Sequence, residues 1–124
     1  MARILIVEDN DTNRKLFRIA LQKAEFEVLE ATDGNEGVNS ARESQPDIIL
    51  MDIQLPGIDG VHAFQMLQKD PETSTIPVIA ATSYAMKGDE ERLLSLGFIR
   101  YLAKPISPDE LIRVINEILG QSEN

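Results

Sequence analysis

Short apolar runs alternate with longer amphipathic stretches along the whole chain. Five runs have the composition of β-strands, at residues 4–7 (ILIV), 27–31 (EVLEA), 48–51 (IILM), 78–81 (VIAA) and 98–103 (FIRYLA). Continuous apolar runs of this length are typical of strands that are buried on both faces, and such strands belong to parallel sheets. The second run is more polar, which is expected of a strand at the edge of a sheet.

Apolar residues at helical spacing predict one amphipathic helix after each strand. These positions are Leu16, Phe17, Ala20, Leu21 and Ala24 in the first helix, Val38 and Ala41 in the second, Val61, Phe64 and Leu67 in the third, Leu93, Leu94 and Leu96 in the fourth, and Leu111, Val114, Ile115, Ile118 and Leu119 in the fifth. The fifth helix is the best marked, because residues 107–110 (SPDE) form a capping box and Gly120 ends it. At the start of the first helix, Asp11 or Thr12 is the expected cap.

The order of the elements predicts the fold. Five strands that alternate with five helices give a (βα)5 chain, whose parallel strands need right-handed crossovers and helices on both faces. The flavodoxin-like doubly wound α/β sheet, with strand order 2-1-3-4-5, is the common solution at this length. We expect it to form one domain over residues 1–124. In such sheets, ligands bind at the carboxyl ends of the strands, near the switch point between the first and third strands.

Polar residues directly follow four of the apolar runs. They are Glu8, Asp9, Asp52, Thr82 and Lys104, and Lys104 is followed by Pro105. The sheet brings them together in one shallow pocket, where three carboxylates and a single lysine leave two negative charges. A pair of like charges at about 4 Å costs roughly 4 kcal/mol at an effective dielectric near 20. A divalent cation would offset this repulsion, and oxygen-only ligands suit Mg²⁺, so we expect a magnesium site here.

The composition excludes several classes of function. The 124-residue chain has 12 Lys and Arg against 21 Asp and Glu, a net charge of −9, which disfavours binding to nucleic acid duplexes and to anionic membranes. The absence of cysteine excludes disulfides, thiolate catalysis and cysteine-ligated zinc, and the single histidine, His62, excludes a multi-histidine metal site. No apolar run is long enough to insert into a membrane or to serve as a signal peptide, and we expect a cytoplasmic protein.

Four motifs carry a resemblance to a known family. Glu8-Asp9 follows the first strand, the string MDIQLPGIDG occupies residues 51–60, Thr82 follows the fourth strand, and Lys104-Pro105 follows the fifth. With these motifs the chain resembles, over essentially its whole length, the receiver domain of two-component response regulators. Residues 84–92 (YAMKGDEER) and 104–107 (KPIS) are similar to those of stand-alone regulators of the DivK type.

The resemblance implies a role for each residue of the predicted site. Asp52 would be the phosphoryl acceptor, a carboxylate nucleophile that forms an acyl phosphate. Asp9 would bind Mg²⁺ directly, together with Asp52 and the backbone carbonyl of Gln54. Glu8 would bind the ion mainly through water. Phosphoryl transfer depends mostly on positioning and charge stabilisation, so a metal ion and a lysine around an in-line nucleophile suffice.

The resemblance also implies a switch. Lys104 would pair with the phosphoryl group, and the Thr82 hydroxyl would donate a hydrogen bond to one of its oxygens. Tyr101 occupies the position of the family's switch aromatic residue, whose ring moves inward when Thr82 engages the phosphoryl group. The peptide bond between Lys104 and Pro105 is expected to be cis.

A signalling function follows from the same resemblance. A histidine kinase or a histidine phosphotransfer protein would donate the phosphoryl group, and phosphorylation would alter a protein-binding face formed by the fourth helix, fifth strand and fifth helix. The chain would be a phosphoacceptor with self-phosphorylation and autodephosphorylation chemistry only, not an enzyme. We expect no output domain, because the sequence ends four residues after Gly120, and the output would then be by protein–protein contact or by passing the phosphoryl group onward in a phosphorelay. The side chains of Gln54 and Tyr84 would affect the lifetime of the phosphorylated state in opposite directions.

Three other functions share parts of this pattern. A phosphatase of the haloacid dehalogenase type also uses a strand-end aspartate with Mg²⁺, but it needs an acid two residues later, where this chain has Gln54. A flavin or nucleotide carrier needs a phosphate cradle after the first strand, where residues 8–11 (EDND) repel phosphate. A degenerate receiver that only docks is disfavoured, because every site position is filled.

Overall fold

The computed structural model describes residues 1–83 and 86–120, and within them five strands alternate with five helices. The strands are β1 (Arg3–Val7), β2 (Glu27–Ala31), β3 (Ile48–Asp52), β4 (Val78–Thr82) and β5 (Arg100–Ala103). The helices are α1 (Asp11–Lys23), α2 (Gly34–Ser44), α3 (Gly60–Lys69), α4 (Asp89–Leu96) and α5 (Pro108–Leu119). The strands are parallel, in the order β2-β1-β3-β4-β5, which confirms the predicted doubly wound α/β fold.

The three central strands, β1, β3 and β4, are almost fully buried, because their successive side chains point to two opposite helical layers. On β1, Ile4 and Ile6 pack on the layer of α1 and α5, whereas Leu5 and Val7 pack on the layer of α2, α3 and α4. Strands between two helical layers need apolar residues at every position, which explains the continuous apolar runs. Among the described residues, no helix combines the length and the apolar character needed to cross a membrane.

The start of β5 differs from the prediction. The apolar run begins at residue 98, but the strand begins only at Arg100. Phe98 turns into the core instead, where its ring stacks on Phe64 with the two centroids 4.0 Å apart. Ile99, the next residue of the run, is 42% exposed. Phe98 is therefore apolar because it packs in the core, whereas the N–H of Ile99 already donates to the carbonyl of Val78 on β4 at 2.9 Å.

Two leucines of the predicted core faces are exposed. Leu16 of α1 and Leu94 of α4 are 58% and 40% exposed, respectively. Their neighbours Phe17 and Leu93 take the buried positions. A helix turns 100° per residue, so two adjacent apolar residues cannot both point at the centre of the same contact. The exposed leucines leave apolar surface at α1 and at α4.

The cap of α1 also differs from the prediction, which named Asp11 or Thr12. Asn10 is the cap: its backbone is extended (φ −78°, ψ 117°), and its Oδ1 accepts a hydrogen bond from the N–H of Asn13 at 2.9 Å. Asp11 is instead the first helical residue, and its carboxylate pairs with Arg14 at 2.6 Å. The helix therefore begins one residue earlier than a cap at Asp11 would allow.

The cap of α5 agrees with the prediction and is open to a direct test. Ser107 Oγ accepts a hydrogen bond from the N–H of Glu110 at 3.1 Å. Replacing Ser107 by Ala leaves this N–H without its partner, so we expect the free energy of unfolding to fall by about 1 kcal/mol. Urea denaturation measures the loss. Ser95→Ala, at an exposed position within α4, is the matched control and should not lower stability; equal losses in both variants would contradict the capping role.

Candidate functional site

Four strand ends converge at the carboxyl edge of the sheet. Glu8 follows β1, Asp52 ends β3, Thr82 ends β4, and Lys104 follows β5. The parallel register aligns these ends side by side. The topology therefore brings together the residues that were selected from the sequence, and it does so because all four strands point the same way.

Lys104 bridges two buried carboxylates at this edge. Its Nζ donates hydrogen bonds to Glu8 Oε1 at 2.5 Å and to Asp52 Oδ2 at 2.9 Å. The lysine side chain is 10% exposed, and the two acidic side chains are 2% and 5% exposed. The backbone N–H of Lys104 donates to the carbonyl of Thr82 at 2.8 Å, and the peptide bond to Pro105 is cis, as predicted. These contacts fix the ammonium group next to the predicted phosphoryl acceptor.

Burial and hydrogen bonding shift the pKa values of Lys104 and Glu8 at this edge. Burial lowers the pKa of Lys104, but the hydrogen bonds to Glu8 and Asp52 outweigh it, and the pKa lies above its ordinary value. Burial raises the pKa of Glu8, the neighbouring Asp52 carboxyl raises it further, and the hydrogen bond from Lys104 only partly opposes them. The lysine therefore stays charged, while Glu8 ionises less readily than an exposed glutamate. One ammonium does not fully compensate the two buried carboxylates.

The acidic residues form a cluster that suits a cation. Glu8, Asp9 and Asp52 each offer one carboxylate oxygen, and these oxygens lie within 4.8 Å of one another. Glu8 and Asp52 are buried, whereas Asp9 is exposed in the same cleft. Oxygen donors with surplus negative charge fit a hard divalent ion. The structure thus brings together the predicted carboxylate ligands. The role of the Gln54 backbone carbonyl stays a prediction.

The carboxylate of Asp52 is held in a defined orientation. Its Oδ1 accepts a hydrogen bond from the backbone N–H of Gln54 at 3.0 Å, and its Oδ2 accepts the bond from Lys104. The cleft above it is lined by polar side chains that include Asn13 and Ser83. A carboxylate fixed beside an ammonium group and an acidic cluster that suits a cation is well placed to attack phosphorus. The nearby positive charge would stabilise the negative charge on the phosphoryl oxygens during the transfer.

The side chain of Gln54 makes contacts that were not predicted from the sequence. Its Nε2 donates to Thr82 Oγ1 at 2.6 Å, and its Oε1 accepts from the backbone N–H of Ser83 at 3.1 Å. We call these two hydrogen bonds the Gln54 bridge. The sequence drew attention to Gln54 for its backbone carbonyl and for an effect on the lifetime of the phosphorylated state, and it gave Ser83 no binding role. A carboxamide two residues beyond one strand end, opposite the end of the next strand, is the signal that could have indicated the bridge.

The structure locates the predicted switch residue Tyr101 but does not test its predicted movement. Tyr101 lies on β5, is half-buried and packs against the core cluster of the α2, α3 and α4 layer. Burial, and after it the charges of Asp89 and Glu90, raises the pKa of Tyr101. The inward movement of its ring stays a prediction. Tyr84, the second residue expected to affect the lifetime of the phosphorylated state, lies outside the described residues.

Comparison with known sequences agrees with this geometry. A sequence model of the response regulator receiver domain matches residues 4–116. The polar-differentiation response regulator DivK of Brucella anthropi is 45% identical over 119 residues, which are 96% of this chain and 97% of that protein. DivK of Brucella ovis shows the same identity over the same length.

Solved structures are similar over nearly the whole chain. A response regulator from Desulfuromonas acetoxidans matches with a TM-score of 0.90 at 31% identity, covering 97% of this chain and 98% of its own. The receiver domain of a sensor histidine kinase from Pseudomonas aeruginosa, which holds a magnesium ion in its active-site cleft, matches with a TM-score of 0.88 at 36% identity and the same coverage. The chain therefore belongs to the response regulator receiver domain family and is similar to DivK.

Proposed function

We propose that this receiver domain accepts a phosphoryl group on Asp52 from a histidine kinase or a histidine phosphotransfer protein. The observation that carries the proposal is the position of the Asp52 carboxylate. It accepts a hydrogen bond from Lys104 at 2.9 Å and lies close to the carboxylates of Glu8 and Asp9. Family membership and the identity to DivK proteins support a role in two-component signalling.

The reaction is a displacement at phosphorus. A carboxylate oxygen of Asp52 forms the new bond to phosphorus, while the bond from phosphorus to the donor's imidazole nitrogen breaks and leaves its electron pair on that nitrogen. Lys104 compensates negative charge on the phosphoryl oxygens during the transfer, since its ammonium already lies within hydrogen-bond distance of Asp52. The backbone N–H of Gln54 keeps the carboxylate oriented.

The residues at the cleft fit a bound Mg²⁺ ion. The ion would be held by Asp9 and Asp52, by the Gln54 carbonyl and, through water, by Glu8. When bound, it supplies positive charge to the phosphoryl oxygens and offsets repulsion among the carboxylates. The test is incubation with acetyl phosphate, either with Mg²⁺ or with a chelator, followed by measurement of the intact mass. The chain should gain one phosphoryl group, and this gain should require the metal.

Replacing Asp9 by Asn tests two effects of this carboxylate separately, its binding of Mg²⁺ and its repulsion of the other two carboxylates. We expect the variant to bind Mg²⁺ about tenfold more weakly, because one charged ligand is lost. Without metal, we expect a slightly higher melting temperature, by about 2 °C, because one of three clustered negative charges is removed. Metal titration followed by calorimetry, and thermal unfolding in chelator, measure the two effects.

The matched control for Asp9→Asn is Glu43→Gln, an equal charge change at an exposed position in α2. This variant should bind Mg²⁺ like the wild type. A lower melting temperature for Asp9→Asn in chelator would contradict the repulsion among the carboxylates. Unchanged Mg²⁺ affinity would contradict the assignment of Asp9 as a ligand.

The signal would be read out at the face formed by α4, β5 and α5. This face exposes Leu94 and Ile99, and Tyr101 lies beside them on β5. We propose that phosphorylation shifts a two-state equilibrium of this face through Thr82 and Tyr101, and that a protein target binds it. The chain would then act as a phosphoacceptor in a signalling pathway, without turning over a separate substrate.

A further inference from the structure

The Gln54 bridge joins two neighbouring ends of the sheet across the cleft. Gln54 follows β3, and its side chain contacts the last residue of β4, Thr82, and the residue after it, Ser83. The 2.6 Å bond uses the carboxamide as a donor, and the 3.1 Å bond uses it as an acceptor. One carboxamide therefore satisfies a hydroxyl and a backbone amide at the same time, and it is itself half-buried.

The same polar groups would be needed by a phosphorylated Asp52. A phosphoryl group brings three strong acceptor oxygens into the cleft. Donors among the residues at this cleft include the Lys104 ammonium and the backbone N–H of Ser83, and the Thr82 hydroxyl lies at the adjoining strand end. In this structure the Ser83 N–H donates to Gln54 Oε1. A single N–H has one hydrogen, so it cannot make a full bond to Gln54 and to a phosphoryl oxygen together.

We infer that the Gln54 carboxamide is a positioning residue that stabilises the unphosphorylated arrangement of the end of β4 and must release the Ser83 N–H when a phosphoryl group occupies Asp52. This inference rests on the proposed function of Asp52 and adds the group that opposes the switch. The need to break the Ser83 bond lowers the apparent affinity for the phosphoryl group, because part of the binding free energy is used to separate Gln54 from the Ser83 N–H.

The test compares the wild type with Gln54→Met, which keeps the length and unbranched shape of the side chain and loses both hydrogen bonds. The probe is beryllofluoride with Mg²⁺, a mimic of a phosphoryl group on a carboxylate. Because the Ser83 N–H no longer has to leave Gln54, Gln54→Met should bind beryllofluoride about fivefold more tightly. Without any ligand or metal, the amide proton of Ser83 should shift upfield in the NMR spectrum of the variant, since its acceptor is gone.

Gln68→Met is the matched control. Gln68 lies on α3, is exposed, and donates one side-chain hydrogen bond to the Leu96 carbonyl at 3.2 Å, away from the cleft. This variant should keep the wild-type affinity for beryllofluoride and the wild-type Ser83 amide signal. Urea unfolding of all three proteins confirms that each is folded under the conditions of the titration.

Each other result contradicts a defined part of the inference. Equal or weaker beryllofluoride binding by Gln54→Met would overturn it, since the bridge would then be neutral or would prepare Thr82 and Ser83 for the phosphoryl group. An unshifted Ser83 amide in the ligand-free variant would show that the bridge does not form in solution, and would also overturn it. Failure of the wild type itself to bind beryllofluoride would overturn the proposed function together with the inference.

Discussion

Asp52→Asn is expected to abolish phosphorylation by acetyl phosphate completely while leaving the fold intact. The amide has nearly the same shape as the carboxylate, but its oxygen carries no negative charge and is a poor nucleophile toward phosphorus. The carboxamide oxygen can still accept the hydrogen bond from Lys104 or from the Gln54 N–H, and Lys104 keeps its ion pair with Glu8. Intact mass spectrometry after incubation with the donor and Mg²⁺ measures the result directly.

The control for Asp52→Asn is the same chemical change at Asp109, an exposed residue in the first turn of α5. Asp109→Asn should gain one phosphoryl group at the wild-type rate. A phosphoryl group on the Asp52 variant would show that the acceptor is another residue. If the wild type gains no mass with any donor and does not bind beryllofluoride, the docking-only alternative replaces the proposed function.

The sequence predicted the fold largely because the three central strands, β1, β3 and β4, are buried on both faces. Such strands need apolar residues at every position, and this requirement leaves runs that can be found without a structure. The boundaries were less certain where apolar residues serve another contact. Phe98 belongs to the apolar run before β5, but its ring stacks on Phe64 and the strand starts at Arg100. Periodicity alone does not distinguish these two uses of an apolar side chain.

The sequence identified which residues form the site, because they follow strands, but it did not predict how their side chains contact one another. Parallel strands place their carboxyl ends at one edge, so Asp52 and Lys104 meet by topology. The contact between Gln54 and Thr82 depends on the path of the loop after β3 and on the conformation of a side chain with three rotatable bonds. Neither is encoded in spacing along the chain. The cap of α1 at Asn10 was missed for a similar reason, because several consecutive polar residues there are all suitable caps.

The carboxamide of Gln54 also bears on the alternative functions. A phosphatase of the haloacid dehalogenase type would need a proton donor two residues after the nucleophile. This chain has Gln54 at that position. Its carboxamide is not a general acid, and it is hydrogen-bonded to Thr82 and Ser83. For a flavin or nucleotide carrier, the turn after β1 would have to attract phosphate, but it carries Glu8 and Asp9. The geometry thus favours a receiver domain, whose acidic cluster suits a cation, over both alternatives.

Gly60→Ala is expected to destabilise the protein by about 3 kcal/mol, which lowers the melting temperature by about 10 °C. Gly60 is the first residue of α3 and follows its cap, Asp59. A Cβ atom at Gly60 would overlap the carbonyl oxygen of Asp52 and would lie 2.7 Å from the Cα of Ile53. Both contacts are with backbone at the end of β3, so no side chain can rotate away to relieve them. The loop that returns from β3 to α3 is closed by a hydrogen bond from the Gly60 N–H to the Ile53 carbonyl at 2.9 Å.

The clash predicts a loss of activity as well as of stability, because the backbone that Gly60 contacts is that of the phosphoryl acceptor itself. Gly57→Ala is the control within the same loop. Gly57 has φ of +74° and open space within 4 Å of the position that a Cβ would take, so this variant should lose only about 1 kcal/mol from backbone strain. Thermal unfolding and the rate of phosphorylation by acetyl phosphate should both fall further for Gly60→Ala than for Gly57→Ala. The reverse order would show that close approach of α3 to Asp52 does not constrain the site, and that the left-handed turn at Gly57 does.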